Sequence, residues 1–249
     1  MIFEIDNIEL SFKEKRILNG IYLKAETNNI TGLLGSNGCG KTCLLNILFG
    51  SLKPKYKLIR VDNKPVLKPL YKTKLVGYLP QHHFIPSHLK VKRIFKIFKI
   101  SWKTFTHHFE VFGHYKKIKI GKLSGGERRL IETYIVLKSN TKLILLDEPF
   151  SHLSPLNIEI IKNVITAEKE HKAIIITDHL YKEIIDIADN LYFIKNGNSR
   201  HIENIKELED LKYLNTSTLT NLNALSFLFS KTENKTQKLN PNKKKKYSK

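Results

Sequence analysis

Residues 2 to 12 alternate apolar and polar, with Ile2, Ile5, Ile8, Leu10 and Phe12 apolar, which predicts one or two strands. Leu18 to Ala25 predicts another strand, Thr27-Asn28-Asn29 a turn, and the short apolar run Ile30 to Leu34 a buried strand. Apolar residues then recur at helical spacing in Leu44, Leu45, Ile47 and Leu48, with Gly50 as C-cap and Lys53-Pro54 as the stop. Leu58 to Val61 and Val76 to Pro80 read as short strands, the second ending at Gln81. From Ser87 to about Phe112 the pattern is helical, with Leu89, Ile94, Phe95, Phe98 and Trp102 among lysines, and two or three helices are expected. Lys116 to Lys122 is a basic connector before a helix from about Gly125 to Leu137. Leu143 to Leu146 predicts a fully apolar strand, Pro155 to Glu170 a helix with Pro near its first turn, and Ala173 to Thr177 the next strand. Leu180 to Ala188 reads as a helix, Leu191 to Ile194 with Asn196-Gly197 as a hairpin, and residues 203 to 212 as helical. Continuous apolar strands alternating with helices predict an α/β fold with a mostly parallel sheet covered on both faces.

The turn after Ile30–Leu34 changes the picture. It reads Gly35-Ser36-Asn37-Gly38-Cys39-Gly40-Lys41-Thr42, then Cys43, and fits Gly-x-x-x-x-Gly-Lys-Thr in full. Phosphate oxygens must be met at close range by backbone N–H groups, so side chains have to be absent, and Gly35, Gly38 and Gly40 remove them. The helix that follows points its positive end at the phosphates. Lys41 supplies a charge for the β and γ phosphates, and Thr42 a hydroxyl for Mg2+.

Composition narrows the class. At 249 residues, 41% of them hydrophobic, the chain fits one large domain or a domain plus a small insert. Met1 to Asp6 carries acids where a signal peptide needs basic and then long apolar residues, and no apolar run is long enough to span a bilayer, so a cytoplasmic protein is expected. Cys39 and Cys43 are the only cysteines, which excludes a disulfide framework and a zinc site built from thiols alone; they read as small fillers in a crowded turn. The net charge of +20 is segregated. Residues 53 to 122 hold 18 Lys and Arg against Asp62 and Glu110, and residues 231 to 249 hold 8 Lys against Glu233. The second stretch reads as a disordered basic tail.

Three further stretches complete a constellation. Leu123-Ser124-Gly125-Gly126-Glu127 precedes a helix, and its serine and two glycines make a second N–H-rich anion site. The strand Leu143–Leu146 runs into Asp147 and Glu148, which places one carboxylate beside the phosphates for Mg2+ and a second where it can orient an attacking water or take its proton. The next strand ends in Thr177-Asp178-His179. In these motifs, their order and their spacing, residues 2 to 205 resemble the ATP-binding cassette (ABC) ATPases.

The resemblance implies a P-loop NTPase cassette over residues 1–205, with a RecA-like, mostly parallel core, an N-terminal antiparallel β region and a helical insert at about 87–137. A C-terminal helical extension over 206–230 and the tail over 231–249 would follow. It makes Gly35 to Thr42 the Walker A loop, Gln81 the Q-loop glutamine, and Ser124, Gly125 and Gly126 the heart of the signature. Asp147 becomes the Walker B carboxylate, Glu148 the catalytic glutamate and His179 the switch histidine. Phe12 falls where an aromatic ring stacks on adenine. Glu148, His179, Lys41 and Gln81 are thus the expected catalytic groups, and Thr42, Gln81 and Asp147 the expected Mg2+ ligands, with ATP and Mg2+ bound. Ser154 departs from the family, which usually has Asp in this loop.

The implied mechanism closes two cassettes head to tail around two ATP molecules, as a homodimer or a cassette heterodimer. A separate transmembrane permease is the expected partner, and the chain is expected at the inner face of the cell membrane. The basic insert is expected to face lipid headgroups or acidic permease loops. Phe95, Phe98, Trp102, Phe105 and Phe109 read as insert core. His82-His83 and His107-His108, without evident carboxylate or cysteine partners, read as non-metal residues. Nucleic acid is not an expected partner. The alternative is a soluble ABC ATPase, of the iron–sulfur assembly kind or associated with nucleic acid or ribosomes, uncoupled from transport. A third reading, a non-hydrolysing regulatory cassette, is favoured by Ser154 and opposed by Glu148.

Overall fold

The computed structural model describes residues 1–211 and Tyr213. The chain divides into two units, Met1–His201 and Ile202 onward.

The first unit opens with β1 (Ile2–Phe12) and β2 (Lys15–Glu26), an antiparallel hairpin with register shifts on either side of Ile8. Asn7 takes a positive φ of 49° there, so the run predicted as one or two strands is one bulged strand. Next come β3 (Ile30–Leu34), α1 (Lys41–Phe49), β4 (Tyr56–Val61) and a two-residue β5 (Lys64–Pro65) that the sequence pattern did not suggest. Asp62 and Asn63, with φ of 47° and 63°, turn β4 into β5. A four-stranded sheet in the order β2-β1-β4-β5 results, the antiparallel β region.

The second sheet takes β6 (Val76–Leu79), β7 (Leu143–Asp147), β8 (Ala173–Thr177), β9 (Asn190–Lys195) and β10 (Asn198–Ile202). Its order is β10-β9-β3-β8-β7-β6, and the pairs from β9 to β6 are parallel. All five residues of β3, β7 and β8 are buried, which is why these strands read as unbroken apolar runs. Asp147 lies opposite Thr177, so the ends of β7 and β8 share one edge with the loop leaving β3.

Between β6 and β7 the chain forms the helical insert. It has α2 (Val91–Ile97), α3 (Trp102–His108), 3-10 turns at Glu110–Lys117 and Ile120–Lys122, and α4 (Gly125–Leu137). Phe105, fully buried, sits 4.9–5.2 Å from the rings of Phe95, Phe109, Phe112 and Tyr134. The expectation for the aromatics therefore holds for Phe95, Phe105 and Phe109. It fails for Phe98, which is 40% exposed and pairs with the exposed Phe84. After β7, α5 (Pro155–Lys169) is capped by Ser154, whose hydroxyl accepts from Asn157 N at 3.4 Å, and α6 (Tyr181–Ile187) follows β8.

In the second unit the helical run expected at 203–212 shrinks to α7 (Glu207–Asp210). Glu207 Oε1 accepts from the amides of Glu203 and Asn204, at 3.0 Å each, and these residues stay outside the helix. The expected extension past residue 211 lies, Tyr213 apart, outside the described residues, as does the basic tail 231–249.

Candidate nucleotide site

The glycine-rich loop joins β3 to α1, and two of its glycines are required by the protein itself. A Cβ on Gly40, whose φ is +106°, would lie 2.6 Å from Leu18 Cδ2; one on Gly35 would lie 2.6 Å from Ile194 O. Gly40 is the N-cap of α1 and brings no side-chain cap, and the first turn holds no acid. The helix thus begins on uncapped amides, the arrangement that receives an anion. Lys41 Nζ turns back along the loop, donating to Gly35 O at 2.7 Å and Ser36 O at 3.2 Å. Ser36, Asn37 and Gly38 are exposed. Cys39 and Cys43 are half-buried against the core, and burial pushes both thiols up, so neither is acidified by the helix.

Across the cleft stands Asp147, 1% exposed. Burial raises its pKa; donation by Thr42 Oγ1 to Oδ1 at 3.2 Å and by Tyr78 to Oδ2 at 3.3 Å opposes this. Glu148 has a left-handed φ of 54°, which costs roughly 1–3 kcal/mol for a non-glycine residue and persists only where surroundings enforce it. Its amide donates to Thr177 O at 2.7 Å, and Ser151 donates to Oε2 at 3.2 Å. His179 Nδ1 lies 3.9 Å from Glu148 Oε2 and 3.2 Å from Asp178 Oδ1. Asp178 is itself buried and accepts the amides of Phe150 and Leu180.

These groups line one cleft of about 580 Å³, in which Asn37, Gly38 and Gly40 of the glycine-rich loop and Lys41 to Cys43 of α1 face Gln81, Asp147, Glu148 and His179. Phe12, half-exposed, and Ile17 form its apolar rim. Ser124, Gly125 and Gly126 do not line it. They head α4, where Ser124 accepts from Glu127 N at 3.2 Å while Glu127 Oε2 accepts from Ser124 N at 2.8 Å, a reciprocal cap. Gly126 is pressed against the loop after Glu148, since a Cβ there would lie 2.3 Å from His152 O.

Sequence reasoning missed three residues here, and the reciprocal cap between Ser124 and Glu127. Ser-x-x-Glu at 124–127 was legible as a capping box; Tyr78, Arg129 and Glu132 carried no local signal. Arg129 is 2% exposed and donates to the carbonyls of Pro80 (2.6 Å), Asp147 and Glu148 (2.9 and 3.1 Å). Fully buried Glu132 bonds His83 Nδ1 at 2.8 Å and accepts from Ile85 N, which corrects the reading that His82-His83 lacks a carboxylate partner.

Thr42 and Asp147 present oxygen donors side by side. That suits Mg2+, which takes one or two protein oxygens and completes its shell with phosphate and water. Among the described residues no cluster of three or more His, Cys, Asp or Glu could hold a metal, and this binding mode needs none. Nor is any described helix long and apolar enough to cross a membrane.

Comparison with known proteins agrees with the geometry. The family profile described as "ABC transporter" matches residues 18–151. The lipopolysaccharide export system ATP-binding protein LptB of Haemophilus influenzae is 31% identical over 212 residues, covering 79% of this chain and 88% of its own. An uncharacterised ABC transporter ATP-binding protein of Methanocaldococcus jannaschii is 28% identical over 82% of this chain and 78% of its own. Among solved structures, an ATP-binding subunit of an ABC transporter superposes with a TM-score of 0.73 at 15% identity, covering 88% of this chain and 98% of that one. A bacterial Atm1-family exporter with ATP bound gives 0.74 at 18% identity, over 84% of this chain and 40% of that one. At those identities the likeness is one of fold, but profile, relatives and motif geometry converge: the chain belongs to the ABC transporter family, as a single nucleotide-binding domain of its ATPase, ATP-binding-subunit type.

Proposed function

We propose that two copies of this chain, or one copy and a related cassette, close head to tail on two MgATP and drive a separate membrane permease. One observation carries the reading. The cleft gathers Lys41, Thr42, Asp147, Glu148 and His179 but not Ser124, Gly125 or Gly126, which start α4 outside its lining. A site incomplete in one copy calls for the missing piece from another.

In this reading Phe12 stacks on adenine, and the amides from Gly35 to Cys43 cradle the phosphates. Lys41 leaves its loop carbonyls for the β and γ phosphates. Thr42, Asp147 and Gln81 would hold Mg2+, which when bound would neutralise charge developing on the phosphate oxygens. Glu148 orients the attacking water and takes its proton, and His179 holds water and γ-phosphate in register. Ser124 and the amides of Gly125 and Gly126 cap the γ-phosphate bound by the partner copy.

The permease coupling is supported by the relatives named for an export system and by the outer face of the insert. There the exposed Lys92, Arg93 and Lys96 share α2 with the exposed apolar Ile97, and the exposed Phe98 that follows pairs with Phe84 on the segment after Gln81. A cationic surface with apolar anchors suits acidic permease loops or anionic headgroups. It would hold the chain on the cytoplasmic face of a membrane.

Two measurements test the proposal. Glu148→Gln is expected to abolish ATP turnover and to run as an ATP-dependent dimer in gel filtration; a monomer with ATP bound would end the pairing model. Affinity capture from mild-detergent membrane extract is expected to recover a multi-span partner. Recovery of soluble partners alone would favour the uncoupled, soluble cassette.

A further inference from the structure

We propose that Arg129 is a positioning residue for hydrolysis, holding Pro80 beside Gln81 and the left-handed Glu148 in one frame with the helix that carries Ser124. The proposal rests on the reading of Glu148 as the hydrolytic carboxylate.

The guanidinium is planar and rigid, with five N–H donors and no acceptor. Here it donates to three backbone carbonyls, those of Pro80, Asp147 and Glu148, from a site 2% exposed. Those carbonyls belong to the ends of two different strands, β6 and β7, and Arg129 itself sits on α4, five residues after Ser124. Pro80 immediately precedes Gln81, and the Glu148 carbonyl belongs to the residue whose φ is 54°. A left-handed backbone turns its carbonyl in an unusual direction, and two guanidinium nitrogens meet it there. One side chain therefore sets where the Glu148 and Gln81 side chains start.

Three neighbours make α4 and these loops a single block. Gly126 leaves no room between α4 and His152 O, in the loop after Glu148. Glu132 and Arg128 bind the segment after Gln81 at His83, Ile85 and Ser87. A displacement of α4 when Ser124 meets a partner's nucleotide would thus reach Glu148 of the same chain through Arg129. Each copy's signature would be tied to its own hydrolytic carboxylate as well as to the partner's nucleotide.

The test uses the full-length chain. Arg129→Gln is expected to lower kcat at least tenfold while a fluorescent ATP analogue binds within about twofold of the parent affinity. ATP-dependent dimers are expected to persist. Turnover within twofold of the parent, or affinity falling in step with kcat, would each overturn the proposal. Should Arg129→Gln fail to fold, Arg129→Lys takes its place with the same outcomes, since one ammonium cannot bridge Pro80 and Glu148 together. If neither folds, Arg129 serves stability alone and the proposal is overturned. A Glu148→Gln variant that still turns over removes the reading of Glu148 and this proposal with it. An inactive Glu148→Gln beside a fully active Arg129→Gln removes the proposal alone.

Discussion

Thr42 Oγ1 donates to Asp147 Oδ1 at 3.2 Å across 105 residues of sequence. The contact joins the first turn of α1 to the end of β7, and it fixes two hard oxygen donors where a nucleotide's phosphates would bring Mg2+. Tyr78, on the neighbouring strand, holds the other carboxylate oxygen.

Loss of either donor should appear as a metal defect. Thr42→Ala and Asp147→Asn are each expected to reduce Mg2+-dependent ATP turnover by about 10–100-fold or more, and Tyr78→Phe by less, since it touches only the ligand. Titrating Mg2+ at fixed ATP checks this. An unchanged midpoint in Thr42→Ala would remove the hydroxyl from the metal's shell.

Gly125 and Gly126 should separate by mechanism. A Cβ on Gly125 meets nothing within 4 Å in its own chain, whereas one on Gly126 would lie 2.3 Å from His152 O. Gly126→Ala is expected to lower Tm by several degrees, for a loss of about 1–3 kcal/mol. Gly125→Ala is expected to leave Tm within about 1 °C, small changes at open positions staying within about 0.5 kcal/mol. Any drop in turnover it causes then arises across the dimer. Thermal melts alongside ATPase assays distinguish the two, and normal turnover in Gly125→Ala would argue against a cap supplied by the partner.

Acid sensitivity should trace to Glu168. Burial alone would raise its pKa, but bonds from Lys138 at 2.7 Å and from Lys172 outweigh it, and the net shift is downward. A carboxylate with a depressed folded pKa stabilises the protein above its unfolded value of 4.5, and that contribution is lost as pH falls through the folded value. Glu168→Gln is expected to cost about 3 kcal/mol at pH 7, leaving the buried Lys172 and half-buried Lys138 without their carboxylate, and progressively less below pH ~4.5. Urea melts at pH 7 and pH 4 check the sign. A penalty that grows on acidification would contradict it.

The two thiols should be sluggish. Burial raises the pKa of Cys39 and Cys43, so alkylation by iodoacetamide at pH 7 is expected to be slower than for free cysteine and to accelerate as pH rises. Saturating MgATP should slow it further by covering the loop. Mass spectrometry reads both effects, and fast labelling at pH 7 would show an acidified thiol.

The sequence by itself determined the elements whose signal is local. β3, β7 and β8 were legible as unbroken apolar runs because both faces of each are covered, and β3 was legible to its final residue. The glycine loop, Asp147, Glu148 and His179 were legible as candidates from residue type and order alone, and the structure gathers them at one cleft. Ser124-Gly-Gly-Glu127 was readable as a cap as well as an anion site, since both functions need a helix start. Tertiary structure alone decided the rest. Phe98 left the aromatic cluster for the surface while Phe105 became its centre, a matter of which helix face meets α4. His83 gained a carboxylate 49 residues away, and Tyr78 one 69 residues away. Arg129 found carbonyls on two strand ends that no spacing rule connects. Side-chain bonds to distant backbone leave no periodicity in the chain; they exist only once the sheet has brought its carboxyl ends together and water has been excluded from around them.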